Sequence, residues 1–291
     1  MNQRAKEIAM NRERDMKPRI DQDALEGTYT LVADLFPNAK PKAAFVMGSG
    51  WTKGCSWFKI KESISYDKIP TLGVTSVQGH KGNLLWVEAE GKEALVFEGR
   101  RHVFEGVNVT SLAVPPFLTK RMGAEFMVVT NAAGGIGSHL HPGDLMLLTD
   151  HLNPSNYDVL NGEHDSFWGE QFTGLVDLYD PALREQMKQA AIASDANLKE
   201  GVYCFWPAKP YQTPAEIQMV KGFGADAVGK STVPEAILAR GAGLRSVAIS
   251  CISNYAAGIN DSRPTHEEVT ETVGKSIEKA ASMLHSFWQN C

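Results

Sequence analysis

The chain has 291 residues, 43% of them hydrophobic, and a formal net charge of −5. This length suits one large α/β domain or two small ones, and the apolar content is ample for a sizeable core. Acidic and basic residues are interspersed without a basic stripe, which argues against nucleic acid or a membrane surface as a partner. The apolar runs are far too short to span a membrane, and the charged N-terminus lacks the apolar segment of a secretory signal. We therefore expect a cytoplasmic protein.

The first hundred residues predict a helix and one side of a sheet. Residues 1–20 are highly charged and indicate an arm or a frayed helix. Apolar positions in 21–35 follow helical spacing, and an apolar run at 43–47 predicts the first strand. Short alternating segments between 60 and 97 are typical of hairpins. Residues 99–106 predict a loop bounded by glycines.

The stretch from Phe126 to Asn153 organises the fold, because it reads as two buried strands separated by a loop. Residues 126–129 are apolar and rich in β-branched side chains, and we expect this central strand to stop at Thr130 and Asn131. Residues 132–135 have almost no side chains. They form either a tight turn or a loop whose main-chain N–H groups meet a ligand.

The second half alternates predicted helices and strands. A long polar loop at 154–180 is typical of a lid or an interface. Thr213 and Glu216 form a capping box, as do Thr265 and Glu268. The remaining elements are a helix at 181–193, a strand at 201–205, a strand at 227–229, a helix opened by Ser231 and a strand at 246–252. We therefore expect residues 21–291 to form a single α/β domain, a twisted mixed β-sheet flanked by helices.

Several predicted loops carry groups that suit a free oxyanion. They offer hydroxyls, main-chain N–H groups, one guanidinium and one imidazole. The glycines of Gly48-Ser49-Gly50 invite comparison with a dinucleotide fingerprint, but the spacing to Gly54 is wrong, so NAD-dependent chemistry is disfavoured. The four cysteines have neither CxxC spacing nor a histidine in metal-ligand register, so we expect neither a disulfide framework nor a zinc site.

The order of the motifs carries a resemblance to a known family. Between about residues 40 and 285 the chain contains GSG, GHKG, GRRHVFEG, TNAAGG, GDLMLLTDHLN, YQTPAEI, GADAVGKSTVPE and SCISNYAAG. In this order they resemble the trimeric purine nucleoside phosphorylases, and TNAAGG with STVPE is the most specific combination. The resemblance implies reversible phosphorolysis of purine nucleosides to the free base and ribose 1-phosphate, or its deoxy form. It also implies a homotrimer, no metal or organic cofactor, and inorganic phosphate as co-substrate.

The resemblance assigns roles residue by residue. Each residue alone has an ordinary alternative, such as a turn serine, a helix cap or a surface charge. The phosphate-binding set is Ser49, Arg100, His102, Ser231, the main chain at Ala132 and, ranked lower, His80. The ribose- and base-binding set is Phe104, Tyr211, Gln212, Val228, Lys230, Asn254, His266 and, from a neighbouring subunit, Trp168.

Asn254, His102 and Gln212 are the implied catalytic residues. Cleavage of the glycosidic bond places positive charge on the sugar and negative charge on the departing base. A donor at N7 of the purine therefore stabilises charge that exists mainly in the transition state, and Asn254 suits this task.

Three positions depart from the family pattern. Phe104 stands where the family usually has Tyr, Gln212 where it has Glu, and Lys230 where it commonly has Met. An amide at 212 predicts a preference for inosine, and also for xanthosine, over guanosine. Lys230 either contacts the substrate, favouring anionic xanthine, or points to solvent.

Two other functions stay open. A 5′-methylthio nucleoside phosphorylase would favour a more apolar 5′ pocket and an Asp near the base, and Gln212 and His266 argue against it. A nucleoside-binding protein that lost turnover is the alternative outside enzymes, because substrate-facing positions depart from the family pattern.

Overall fold

The computed structural model describes residues 19–75, 80–162, 165–260 and 266–291, without the side chains of 266–271 and 275. The predicted N-terminal arm and the capping box at Thr265 therefore lie outside the described residues. The helices are α1 (Gln22–Leu35), α2 (Val109–Arg121), α3 (Pro181–Ala193), α4 (Pro214–Gly222), α5 (Val233–Gly241) and α6 (His266–Asn290). The strands are β1 (Pro41–Val46), β2 (Lys59–Ser65), β3 (Asn83–Ala89), β4 (Lys92–Phe97), β5 (Phe126–Gly135), β6 (Leu145–Leu152), β7 (Leu198–Phe205), β8 (Ala227–Gly229) and β9 (Arg245–Tyr255).

Within the described residues, the strands form a nine-stranded mixed sheet in the order β2-β3-β4-β1-β5-β8-β7-β6-β9. At the β2-β3-β4 end the strands pair antiparallel, as the predicted hairpins require. At the other end β9 also pairs with β5, so β5, β8, β7, β6 and β9 close into a ring. This arrangement confirms the predicted mixed sheet and adds the closure, which the local pattern of residues does not reveal.

The core lies on both faces of the sheet, because alternate residues of a buried strand point to opposite sides. In β1, Ala44 and Val46 pack into one apolar cluster, whereas Ala43 and Phe45 pack into a second. The first cluster contains side chains of α1, α2 and α5, and the second contains side chains of α3 and α6. Helices therefore cover both faces, as predicted.

Strand β5 is longer than the sequence predicts. It continues through Asn131 to Gly135 instead of ending at Thr130, because these residues pair with β9. Gly134 and Gly135 also pair with β8 on the other side. The pairing with β9 shifts register between Ala133 and Gly134, a bulge of the kind that re-aims groups next to active sites.

Helix α5 also begins later than predicted. Ser231 was expected to open it, but the helix starts at Val233 and Thr232 occupies the N-cap position. Thr232 has φ +77°, a left-handed conformation that β-branched residues rarely adopt. Its hydroxyl accepts from Asn131 Nδ2 at 2.8 Å, and this contact helps to hold the turn that precedes the helix.

Candidate active site

A cavity opens where four strands end. Its wall is built by residues that directly follow β1 and β8 and by the last residues of β5 and β9. The predicted site residues that line it are Ser49, Arg100, His102, Phe104, Ala132, Tyr211, Gln212, Val228, Lys230, Ser231 and Asn254. The topology therefore brings together residues that are as far as 205 positions apart in the chain, as the loops at strand ends predict.

Arg100 lines the cavity and is almost completely buried. Its Nη1 atom lies 3.0 Å from the carboxylate of Glu235, and its Nη2 atom donates to the carbonyl of Val46 at 3.0 Å and to that of Thr130. The Nε atom is buried and has no hydrogen-bond partner in the protein. One charge-assisted donor of a buried guanidinium is thus left for an anion.

Ser49 is oriented by His80, which lies behind it. The His80 Nε2 atom lies 3.3 Å from Ser49 Oγ, and its Nδ1 atom lies 3.2 Å from the main-chain N of Arg100. Burial, helped by the neighbouring His102 and Arg100, lowers the pKa of His80 to about 3, so the imidazole is neutral at neutral pH. When Nδ1 accepts from Arg100, Nε2–H donates to Ser49 and leaves the serine hydroxyl hydrogen for an anion. His80 therefore supports Ser49 from behind.

His102 is held as a neutral imidazole with a defined orientation. Its Nδ1 atom lies 3.1 Å from Glu105 Oε1, which also accepts the His102 main-chain N–H at 2.7 Å. Burial lowers the pKa of His102, while the hydrogen bond to Glu105 opposes this shift. Phe104 stacks on the imidazole with ring centroids 4.8 Å apart. Because Nδ1 faces a carboxylate, the Nε2 atom is left to accept a proton or a hydrogen bond.

Gln212 and Asn254 supply two side-chain amides to the cavity. Gln212 is 9% exposed, and its buried Nε2 atom has no hydrogen-bond partner in the protein. The Asn254 amide is fixed at both ends, since Nδ2 donates to the carbonyl of Tyr255 and Oδ1 accepts from Ser253 Oγ, both at 2.7 Å. Each amide nitrogen carries two hydrogens, so Asn254 keeps one donor and Gln212 keeps two for a ligand.

Lys230 lines the cavity, and its ammonium is held by the chain itself. It donates to three main-chain carbonyls at 2.7, 2.7 and 3.0 Å. An ammonium has three hydrogens, and all are used. A direct contact with the sugar or base, as expected from the sequence, would have to replace one of these bonds.

Trp168 is also placed differently from the prediction. It is 2% exposed and packs in the core of its own subunit, with its ring centroid 4.8 Å from Phe167 and 6.4 Å from Phe117. This burial contradicts the expectation that Trp168 reaches the cavity of a neighbouring subunit. On the same loop, Phe172 is 87% exposed and Val176 is 84% exposed. The side chain of His266 lies outside the described part of the chain.

Four residues that orient the site residues were not predicted from the sequence. Glu235 neutralises Arg100, and Asn131 and Thr232 connect the end of β5 to the start of α5. Ser253 fixes Asn254. The signal for Glu235 was present, because a carboxylate within the specific STVPE motif must find a partner when it is buried.

The donors and acceptors of the cavity suit an oxyanion and a polar heterocycle. No group of three or more His, Cys, Asp or Glu side chains able to hold a metal ion occurs among the described residues. In the same part of the chain, no helix is long and apolar enough to cross a membrane.

Comparisons with known proteins agree with this geometry. The sequence profile of the phosphorylase superfamily matches residues 57–289. Purine nucleoside phosphorylase 1 of Geobacillus stearothermophilus is 39% identical over 256 residues, which cover 88% of this chain and 93% of the relative. The Mus musculus purine nucleoside phosphorylase is 33% identical over 255 residues, covering 84% and 88% of the two chains. The chain therefore belongs to the purine nucleoside phosphorylases of the phosphorylase superfamily, which confirms the resemblance.

Solved structures show the same fold. Schistosoma mansoni purine nucleoside phosphorylase in complex with inosine matches with a TM-score of 0.86 and 30% identity, covering 94% of this chain and 99% of the other. A purine nucleoside phosphorylase in complex with ribose 1-phosphate matches with a TM-score of 0.81 and 29% identity, covering 92% and 97%.

Proposed function

We propose that this protein catalyses the reversible phosphorolysis of purine nucleosides, giving the free base and ribose 1-phosphate or its deoxy form. The observation that carries the proposal is the pairing, in one cavity, of donors suited to an anion with two side-chain amides suited to a base. The unpartnered Nε of Arg100 marks the first, and Gln212 and Asn254 mark the second. Related purine nucleoside phosphorylases have been solved in complex with inosine, hypoxanthine and ribose 1-phosphate, which supports this assignment.

Phosphate would bind beside Arg100 and Ser49 in the cavity. Arg100 Nε, the hydroxyls of Ser49 and Ser231, and the main chain at Ala132 would donate to its oxygens. The neutral His102 would accept the hydrogen of a protonated phosphate oxygen through Nε2. Because Glu235 already balances the charge of Arg100, the phosphate binds through directed hydrogen bonds more than through net charge.

The base would lie between Val228 and the amides. Asn254, held by Ser253 and Tyr255, would donate to N7, where negative charge develops as the glycosidic bond breaks. Phosphate, held below the sugar, stabilises the opposite charge and then attacks the anomeric carbon. Positioning of the two reactants supplies most of the acceleration, and no covalent enzyme intermediate is needed.

Gln212 would set the base preference. Its carbonyl can accept from N1–H of hypoxanthine, whereas the 2-amino group of guanine would meet the amide NH₂. The unpartnered, buried Nε2 can donate to an acceptor at position 2, which xanthine has. We therefore propose a preference for inosine and xanthosine over guanosine.

The remaining features are also proposals. We infer a homotrimer whose contacts include the exposed apolar side chains of Phe172 and Val176, because one subunit has little reason to expose them. The four free cysteines suit a reducing compartment and support a cytoplasmic location. The reaction needs inorganic phosphate as co-substrate and no other cofactor.

Two substitutions test the proposed phosphate site and the proposed base site. Ser49→Ala should raise the KM for phosphate about ten-fold and leave the KM for inosine unchanged, since it removes one anion donor. Asn254→Ala should lower kcat and kcat/KM together, because its contact strengthens in the transition state. An unchanged phosphate KM in the first variant, or an unchanged kcat in the second, would contradict the assignment.

A further inference from the structure

Lys230 lines the cavity, and its ammonium is held by main-chain carbonyls and aromatic rings of the chain. Its ammonium donates to the consecutive carbonyls of Ala208, Lys209 and Pro210. The ammonium also lies 4.8 Å from the ring centroid of Tyr211 and 5.8 Å from that of Phe104. A cation thus lies against three carbonyl dipoles and within reach of two aromatic rings.

The three carbonyls belong to the segment from Trp206 to Thr213, which joins β7 to α4. This segment presents Tyr211 and Gln212 to the cavity. Its two ends are fixed independently of Lys230. At the start, the Trp206 main-chain N–H donates to the carbonyl of Gly229 at 2.7 Å. At the end, Thr213 and Glu216 form the capping box of α4.

Between these ends, three successive carbonyls point towards one place. Their negative ends repel one another, and a cation placed among them offsets that repulsion. The ammonium of Lys230 satisfies all three at once. Burial lowers the pKa of Lys230 to about 8, consistent with an ammonium that has exchanged water for protein groups.

We propose that Lys230 is a positioning residue for base recognition: it holds residues 208–210 in the conformation that presents Tyr211 and Gln212, and does not itself contact the nucleoside. The second half of this statement follows from donor counting, because no hydrogen of the ammonium remains for a ligand. The proposal rests on the proposed function for its kinetic consequence but not for its structural one.

Hydrogen exchange of the free protein tests the structural consequence without any activity. Lys230→Met should speed amide exchange in the peptide that covers residues 206–213 and leave the strands unchanged. Lys209→Met is the matched control, because Lys209 is on the same segment and exposed. It should exchange like the native protein. Equal exchange rates in Lys230→Met and the native protein would overturn the proposal, even if the protein proved not to be a phosphorylase.

Steady-state kinetics test the consequence for binding. Lys230→Met should raise the KM for inosine about ten-fold, with the KM for phosphate unchanged, whereas Lys209→Met should change neither. A double-mutant cycle then separates positioning from direct contact. In a Tyr211→Ala, Gln212→Ala background the further effect of Lys230→Met should vanish, since the side chains it positions are gone. An equal effect in both backgrounds would show that Lys230 contacts the nucleoside directly and would overturn the proposal.

Discussion

The guanidinium of Arg100 and the carboxylate of Glu235 form an ion pair of 3.0 Å in which the side chains are only 1% and 3% exposed. Two charges at this depth are stable only together, because each alone would lack solvation. The pair lies under the proposed phosphate site. The hydrogens on Nη1 and Nη2 are used by groups of the protein, so Nε–H is the donor left for the proposed phosphate.

Removal of Glu235 is therefore predicted to cost both stability and phosphate binding. Glu235→Gln should lower the free energy of unfolding by about 3–5 kcal/mol, because it leaves the guanidinium buried without its counter-charge. Urea unfolding measures this loss. Glu125→Gln is the control, since Glu125 is 56% exposed in its pairs with Lys42 and Arg245 and should lose less than about 1 kcal/mol. Equal losses in both variants would contradict the account.

Gly48 is predicted to be irreplaceable for a steric reason. A Cβ atom at this position would lie 2.7 Å from the carbonyl oxygen of Thr130 and 2.8 Å from Cα of Asn131, and backbone atoms cannot move aside. Gly48→Ala should lower the free energy of unfolding by about 2 kcal/mol or more. In α1, Gly27→Ala meets nothing within 4 Å and should stabilise the protein by about 0.5–1 kcal/mol. A stable Gly48→Ala variant would show that β1 and β5 approach less closely.

Because burial lowers the pKa of His80, we predict that the free energy of unfolding falls in acid. The folded protein binds a proton on His80 only below about pH 3, whereas the unfolded chain binds it below the ordinary pKa of 6.5. The contribution of neutral His80 to the free energy of unfolding is therefore complete above about pH 6.5. It is lost as the pH falls towards about 3. Between about pH 7.5 and about pH 5, the native protein should lose about 1–2 kcal/mol more than His80→Asn. Denaturant unfolding at the two pH values measures this, and parallel losses would contradict it.

The amide of Gln212 leads us to predict a preference for inosine over guanosine that a carboxylate at this position would reverse. The native enzyme should turn over inosine with a higher kcat/KM than guanosine, and xanthosine should be accepted as well. Gln212→Glu should raise kcat/KM for guanosine relative to inosine by about ten-fold or more, because a carboxylate accepts from both N1–H and the 2-amino group. Guanosine equal to or better than inosine in the native enzyme would show that this interpretation of Gln212 is wrong.

Much of the fold could be predicted from the sequence, because its strands are apolar runs with clear ends. Thr213 and Glu216 form the predicted capping box, and the predicted strands at 43–47 and 227–229 are present. The continuation of β5 through Ala132 to Gly135 could not be predicted locally. These residues have weak strand preference and are strands only because β8 and β9 pair on either side.

The site residues divide in the same way. Side chains at or just after the end of a strand, such as Asn254 in β9 and Ser49 after β1, lie in the cavity as the motifs predict. The positions of Trp168 and Lys230 depend on contacts across the fold. Trp168 fills the core beside Phe117, and Lys230 satisfies carbonyls about twenty positions earlier in the chain. Residue type and spacing alone do not determine such contacts.

In the proposed reaction phosphate, not water, attacks the sugar. The most direct test is product analysis of inosine turnover with and without inorganic phosphate. We predict equal amounts of hypoxanthine and ribose 1-phosphate when phosphate is present, and no measurable hypoxanthine when it is absent. Release of free ribose, or tight binding of inosine without turnover in the presence of phosphate, would contradict the account.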